Sequence, residues 1–153
     1  MRTGTRLGVD VGKVRVGVAR SDPHGMLATP VETVARTDGS VQKIIELAVE
    51  HAAVELVVGL PIALSGRDTA STGDARAFAQ ELADRSDLPV RLVDERMTTM
   101  SANAALRASG RTAKNSRSVV DQVAAVIILQ HALDFERSAA RPPGELVEPT
   151  LGS

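Results

Sequence analysis

No cysteine occurs in the 153 residues, and neither tryptophan nor tyrosine does. The first absence excludes a disulfide scaffold, a thiolate nucleophile and every cysteine-ligated zinc or iron–sulfur site. The second leaves Phe78 and Phe135 as the only benzenoid rings, too few for a platform that stacks nucleobases on aromatic side chains. No apolar run approaches the ~20 residues of a membrane span, and the N-terminus carries no signal-peptide core, so a cytoplasmic protein with no membrane partner is expected. The net charge is −1, from 18 basic and 19 acidic residues. The chain as a whole is therefore not drawn toward nucleic acid or anionic lipid.

What is present suits one ordinary domain. Hydrophobic residues make up 43% of the chain and charged residues 24%, and a chain of this length buries roughly 70% of its unfolded surface. There is no internal repeat and no sign of a second domain. Charge is less even locally than in total. From Arg96 to Val120 there is no Asp or Glu, while Arg96, Arg107, Arg111, Lys114 and Arg117 all fall inside that stretch. Such a block is either a phosphate-binding surface or a solvated face.

The first third reads as strands. Arg6 to Val11 is an apolar run around one acid, and Val14, Val16 and Val18 then alternate with Arg15, Gly17 and Ala19. The turn-forming Ser21–Gly25 stretch leads into a third extended segment, Met26 to Val34, which Pro30 marks as an edge strand. Connections this short predict an antiparallel meander. Helices and strands then alternate. Val41, Ile44, Ile45, Ala48 and Ala52 form an apolar helical stripe, and Leu56–Gly59 is a buried strand. Residues 63–73 read as a mobile loop, with Asp74 capping the next helix around Ala75, Phe78, Ala79 and Leu82. A strand follows over Val90–Val93, then a short helix over Ser101–Ala108 that Gly110 ends, then a long helix over Val119–Phe135. The order βββαβαβαα predicts an α/β domain with a mixed sheet and helices on both faces, over residues 1–138. Residues 139–153, with three prolines, are expected to be disordered.

Three acids stand where acids are costly. Asp10 and Glu95 follow or end apolar strands at their C-terminal ends, and Asp121 lies among Val119, Val120 and Val123. An ionised carboxylate in apolar surroundings needs compensation, which one divalent cation shared among several would supply. Each acid alone also has a purely structural explanation. Asp10 suits an Asx turn before Gly12, Glu95 a surface pair with Arg96, and Asp121 a capping box with Ser118 as cap. Taken together, two acids at strand ends and one on a helix start point to a site, because α/β sheets place their sites at those ends. Other motifs fail on spacing. Gly8–Lys13 has three residues between its glycines where a Walker A loop needs four, and Val14 stands where that loop has Ser or Thr. His24, His51 and His131 have no partner at ligand spacing, and no Gly-x-Ser-x-Gly elbow exists.

Leu7-Gly8-Val9-Asp10-Val11-Gly12 with Arg15, Gly17 and Val18 resembles the opening of the YqgF/RuvX family of bacterial RNase H-like proteins. Ser21-Asp22-Pro23 with Gly25, Ala28-Thr29-Pro30, Val57–Pro61, Val93–Thr99 and Val120-Asp121 to Gln130 match it in order, so the resemblance covers roughly residues 6–135. It implies an RNase H-like fold, a five-stranded mixed sheet of order 3-2-1-4-5. It also implies that Asp10, Glu95 and Asp121 form a catalytic carboxylate site holding Mg²⁺ or Mn²⁺, one or two ions. The implied activity is that of a metal-dependent nuclease processing the 16S ribosomal RNA precursor, with pre-16S rRNA and ribosome-assembly components as partners. A Holliday-junction resolvase acting on branched DNA and a non-catalytic nucleic-acid-binding assembly factor are the alternatives, in a monomer or homodimer. An actin-like or sugar-kinase ATPase also opens with Asp-x-Gly on three meandering strands. Lys13, Arg15, Arg96, Arg107, Arg111, Lys114 and Arg117 are expected to hold flanking phosphates. Two departures stand out: the family often has Thr-Lys where this chain has Lys13-Val14, and Ala124 replaces a fourth acid of related resolvases.

Overall fold

The structure is a computed structural model that describes residues 2–97 and 116–150, with side chains up to residue 96 and from residue 122. Three strands, β1 (Thr5–Val11), β2 (Arg15–Ser21) and β3 (Ala28–Ala35), form the antiparallel meander that their short turns predict. The chain continues through α1 (Ser40–Glu50), β4 (Ala53–Leu60), α2 (Ala70–Arg85), β5 (Val90–Asp94) and a single 3₁₀ turn (Glu95–Met97). It then forms α3 (Ser116–Ala139) and β6 (Glu145–Val147). The sheet runs β3-β2-β1-β4-β5-β6. β4 joins β1 and β5 joins β4 in parallel, each after a helix long enough to carry the chain back across the sheet. Pro30 lies on the edge strand β3, at a register shift opposite Val18 and Ala19, where a missing N–H costs no ladder bond.

The two faces of the sheet are buried under different helices. Leu7, Val9, Leu56, Val58, Val90 and Leu92 pack with Val41, Ile44, Phe78 and Leu82 under α1 and α2. Val57 and Ala19 pack with Ala125, Ile128, Leu129 and Leu133 of α3 on the other side. Burying one such Leu or Ile stabilises the fold by roughly 1.5–3 kcal/mol, so neither helical layer is dispensable.

Four expectations need correction. Among the described residues the sheet has six strands rather than five, and the expected disordered tail is ordered in part. β6 pairs with β5 through Val90↔Val147, Arg91↔Leu146 and Leu92↔Glu145, covering an edge that would otherwise expose unpaired N–H and C=O groups. Beyond it, Gln80 Nε2 donates to the Glu148 carbonyl at 2.8 Å, and Asp84 accepts from the Thr150 N–H and hydroxyl at 2.7 and 2.8 Å. Pro142 and Pro143 do not end the structure because they precede this strand; Gly144, at φ +64°, turns the chain into it.

α2 begins four residues before Asp74. Thr69 caps it: its hydroxyl accepts from the Thr72 N–H at 3.3 Å, and the Thr72 hydroxyl accepts from the Thr69 N–H at 2.9 Å. A threonine here fills the place a capping box usually gives to Glu or Gln. Val14, expected within the second strand, sits instead in the β1–β2 turn and is 68% exposed. The short helix expected over Ser101–Ala108 lies outside the described residues.

Candidate active site

Side chains alternate along a strand, so every second residue of β1, β4 and β5 faces α3. From β1 these are Arg6, Gly8 and Asp10; from β4, Glu55, Val57 and Gly59; Arg91 and Val93 of β5 lead on to Glu95, the first residue of the 3₁₀ turn. The middle of this face is closed by α3 at very short range. A Cβ on Gly8 would lie 2.7 Å from Leu129 Cβ, and one on Gly59 would lie 2.5 Å from Ile128 Cδ1 and 2.8 Å from Glu95 Oε2. The glycine of β4 thus makes room for both the helix and the Glu95 carboxylate.

The direction of α3 follows from its hydrogen bonds. Gln122 Nε2 donates to Thr33 Oγ1 at 3.1 Å, and Thr33 pairs with Gly17, which pairs with Asp10. Eight residues on, Gln130 Oε1 accepts from the Ala28 N–H at 2.9 Å, at the far end of the meander. The start of α3 therefore lies over the C-terminal end of β1. Residue 121 precedes Ala125 by one helical turn, about 6 Å along the axis. Asp10 follows Gly8 by two strand residues, roughly 6.8 Å. Because the Ala125 carbonyl oxygen would lie 3.0 Å from a Cβ on Gly8, both steps lead from one contact toward the same end of the sheet. Ser118 lies inside α3 rather than ahead of it, which removes the capping box offered as the structural explanation of Asp121. The side chain of Asp121 lies outside the described residues.

Asp10 and Glu95 feel each other. Burial first, then the charge of Asp10 and then that of Asp94, together push the Glu95 carboxyl up to about 7. Asp94 goes the other way. The Arg96 guanidinium grips it at 2.6–3.1 Å and, with the Arg96 N–H at 2.9 Å, holds its carboxyl below the usual range. Arg96 is thus engaged by its own neighbour in this arrangement. Lys13 is exposed in the β1–β2 turn, and Arg15 opens β2. Arg107, Arg111 and Lys114 lie outside the described residues, as does the Arg117 side chain. Among the described residues no group of three acid or histidine side chains is gathered for a metal. The donor set that Asp10 and Glu95 begin is all carboxylate oxygen, which fits hard cations such as Mg²⁺ and Mn²⁺.

Two contributions to this region escape sequence reading. One is Gly59, whose missing side chain accommodates Glu95. The other is Arg36, which reaches from the end of β3 to the Gly12 carbonyl at 2.9 Å and to Asp74 at 2.8 and 2.9 Å.

Comparison with known proteins gives the family and the fold. The RuvX family model, described as Holliday junction resolvase, matches residues 4–135. A protein of Clavibacter michiganensis subsp. michiganensis, named "Putative pre-16S rRNA nuclease", is 63% identical over 150 residues, covering 96% of this chain and 93% of that protein. One of the same name from Leifsonia xyli subsp. xyli is 60% identical over 154 residues, covering 99% of each. Among solved structures, Thermus thermophilus RuvC in complex with a Holliday junction substrate superposes with a TM-score of 0.58 at 16% identity. That match covers 91% of this chain and 99% of the other, so the mixed sheet under α3 is the RuvC fold. The ATPase alternative has no support in the family match, and the chain belongs to the RuvX family.

Proposed function

We propose that this protein is a metal-dependent endonuclease that hydrolyses phosphodiester bonds in the 16S rRNA precursor. Asp10, Glu95 and Asp121 are its catalytic residues and the holders of one or two Mg²⁺ or Mn²⁺ ions. The observation that carries the reading is the Asp10–Glu95 pair at the C-terminal edge of the sheet, where burial and like charge raise the proton affinity of Glu95. Such a pair is unfavourable by itself and becomes favourable with a cation between the carboxylates. The nuclease names of relatives covering nearly the whole chain support the same reading. When bound, the ions would supply a water nucleophile at neutral pH and neutralise charge on the scissile phosphate.

The chain's own residues do the rest. Gly59 and Ile128 fix the depth of Glu95, and the β1–β2 pairing, which sets Asp10 opposite Gly17, fixes Asp10. Lys13, Arg15 and the basic stretch from Arg107 to Arg117 hold flanking phosphates, contacts that position a strand without reading its sequence. Those positive charges also offset the repulsion between an acidic site and a polyanion. Ribosome-assembly components are the partners this reading implies.

A second reading, resolution of branched DNA, is favoured by the RuvX family description and by the likeness to RuvC. Purified protein incubated side by side with a 5′-extended 16S rRNA fragment and a four-way DNA junction, in Mn²⁺ and in EDTA, separates the two. The proposal expects metal-dependent cleavage of the RNA at a discrete position and little junction resolution. Symmetric cuts in the junction with the RNA intact would favour the second reading. No metal-dependent cleavage of either would leave a non-catalytic assembly factor.

A further inference from the structure

The β1–β2 turn follows Asp10 in the chain and carries Lys13, with Arg15 where it enters β2, and it is held from behind by the Arg36 side chain. Within the turn, the Gly12 N–H donates to the Arg15 carbonyl at 3.0 Å. Arg36, which follows β3, grips both sides of it: its backbone N–H donates to the Val14 carbonyl at 2.9 Å, and its Nη1 donates to the Gly12 carbonyl at 2.9 Å. The same guanidinium forms a two-pronged pair with Asp74 of α2, at 2.9 and 2.8 Å, and lies 5.0 Å from the centre of the Phe78 ring. Fork-on-carboxylate geometry fixes orientation as well as distance. A turn that would otherwise project from the sheet edge is therefore tied to a helix on the opposite face from α3. The Arg36 hydrogen bonds hold the Asp74 carboxyl below its usual range, and the Lys13 charge contributes the smallest part of that effect. Lys13 and this tie thus lie within electrostatic reach of each other.

We propose that Arg36, oriented by Asp74 and Phe78, is a positioning residue: it fixes the Gly12–Arg15 turn so that Lys13 and Arg15 meet substrate phosphates at a set distance from Asp10. The inference rests on the nuclease reading above. Its physical basis is that misplacing a bound strand by about 1 Å costs on the order of a hundredfold in rate. Long cationic side chains on a loosened turn would still attract phosphate, but would no longer hold it in register with the carboxylates. Arg36 does not touch substrate in this account, and it acts through the turn.

Arg36→Lys is the main test, because lysine keeps the charge and the aliphatic stem over Phe78 but cannot bond Gly12 and both Asp74 oxygens together. Arg36 is partly exposed and borders a cavity of about 660 Å³ with Lys13, Asp38 and Glu81, so shortening it opens no sealed void in the core. Asp74→Asn serves as a second variant with the same shape and a weaker grip. Steady-state cleavage of the 5′-extended 16S rRNA fragment in Mn²⁺ is measured beside the thermal midpoint, for each variant alone and combined with Lys13→Ala.

The expected result is at least a tenfold loss in kcat/KM for Arg36→Lys and a smaller loss for Asp74→Asn, with cooperative melting retained. In the Arg36→Lys background the cost of Lys13→Ala should shrink at least threefold, because a turn already loosened gains little from Lys13. A merely structural Arg36 would lower the midpoint while the two losses multiplied independently, and that result would overturn the proposal. Wild-type cleavage with unchanged kcat/KM in Arg36→Lys would overturn it too and leave the nuclease reading intact. Failure of the wild type to cleave would overturn both.

Discussion

At one end of the sheet face covered by α3, Glu55 and Glu136 are 1% and 4% exposed and lie among arginines. Arg2 reaches Glu55 at 2.9 Å and Glu136 at 2.6 Å, Arg91 reaches Glu55 at 3.0 Å, and the buried Arg6 reaches Glu136 at 3.4 Å. At the other end, some four residues along the same strands, Glu95 stands near Asp10 and Asp94. The consequences are opposite. Hydrogen bonds from Arg2 hold the Glu136 carboxyl down at about 2, whereas burial and neighbouring acids push Glu95 up to about 7. Burial of a carboxylate therefore does not by itself mark a site. The sign of the surrounding charge separates the two ends: the arginine-lined end is a clamp joining the N-terminal segment, β4, β5 and the end of α3, and the acid-lined end is the one to which the proposed function assigns a cation.

One chemical change, carboxylate to amide, should break the two ends differently. Asp10→Asn, Glu95→Gln or Asp121→Asn should lower the cleavage rate at least about a hundredfold, since on the proposed reading several kcal/mol of transition-state stabilisation depends on the ion they would hold. Metal-free melting of the same variants should stay level or rise, because like charge is being removed. Full single-turnover activity in any one of them would remove that residue from the site. Glu136→Gln should do the reverse. It leaves the Arg6 charge buried and poorly compensated, at a cost of roughly 3 kcal/mol in urea unfolding, while Mn²⁺-dependent chemistry per folded molecule stays near wild type.

The pH dependence of stability should sharpen the contrast. Glu136 falls from an ordinary 4.5 to about 2 in the folded chain. Its contribution is therefore complete above 4.5 and lost as the pH falls through 2. Glu95 rises from 4.5 to about 7, so the folded state holds its proton more tightly than the unfolded state does. That contribution is complete below 4.5 and lost as the pH rises through 7. Without metal, stability should decline between pH 5 and 8, and Glu95→Gln should flatten the decline. Activity should run the other way and rise through pH 7, because a cation binds the ionised carboxylate. The smallest effect concerns the basic stretch. Neutralising Arg111 or Lys114 should flatten the plot of log affinity for duplex DNA against log salt by about 0.9 each, and an unchanged slope in both would make them solvated charges only.

Much of this arrangement was legible in the sequence. Asp10 and Glu95 stood out because each interrupts or ends an apolar strand, and the turn chemistry at Ser21–Gly25 marked the meander. The arginine clamp was not legible, since Arg6 and Glu136 are 130 residues apart and neither sits in a distinctive local pattern. Asp74 looked like a helix cap for the same reason: its partner Arg36 lies 38 residues away, and only the fold brings them together. β6 is three residues long, and what orders it is the open edge of β5 rather than its own sequence. Local rules read elements and costly residues; they do not read which distant charge answers which.

On the proposed reading, Asp10 and Glu95 hold a divalent cation. Thermal midpoints at pH 8, with and without Mn²⁺, for the wild type, Asp10→Asn, Glu95→Gln and Glu136→Gln test it directly. Mn²⁺ should raise the midpoint of the wild type and, from its lower starting point, of Glu136→Gln by the same amount, and should leave Asp10→Asn and Glu95→Gln nearly unmoved. Equal Mn²⁺ shifts in all four proteins would contradict the account.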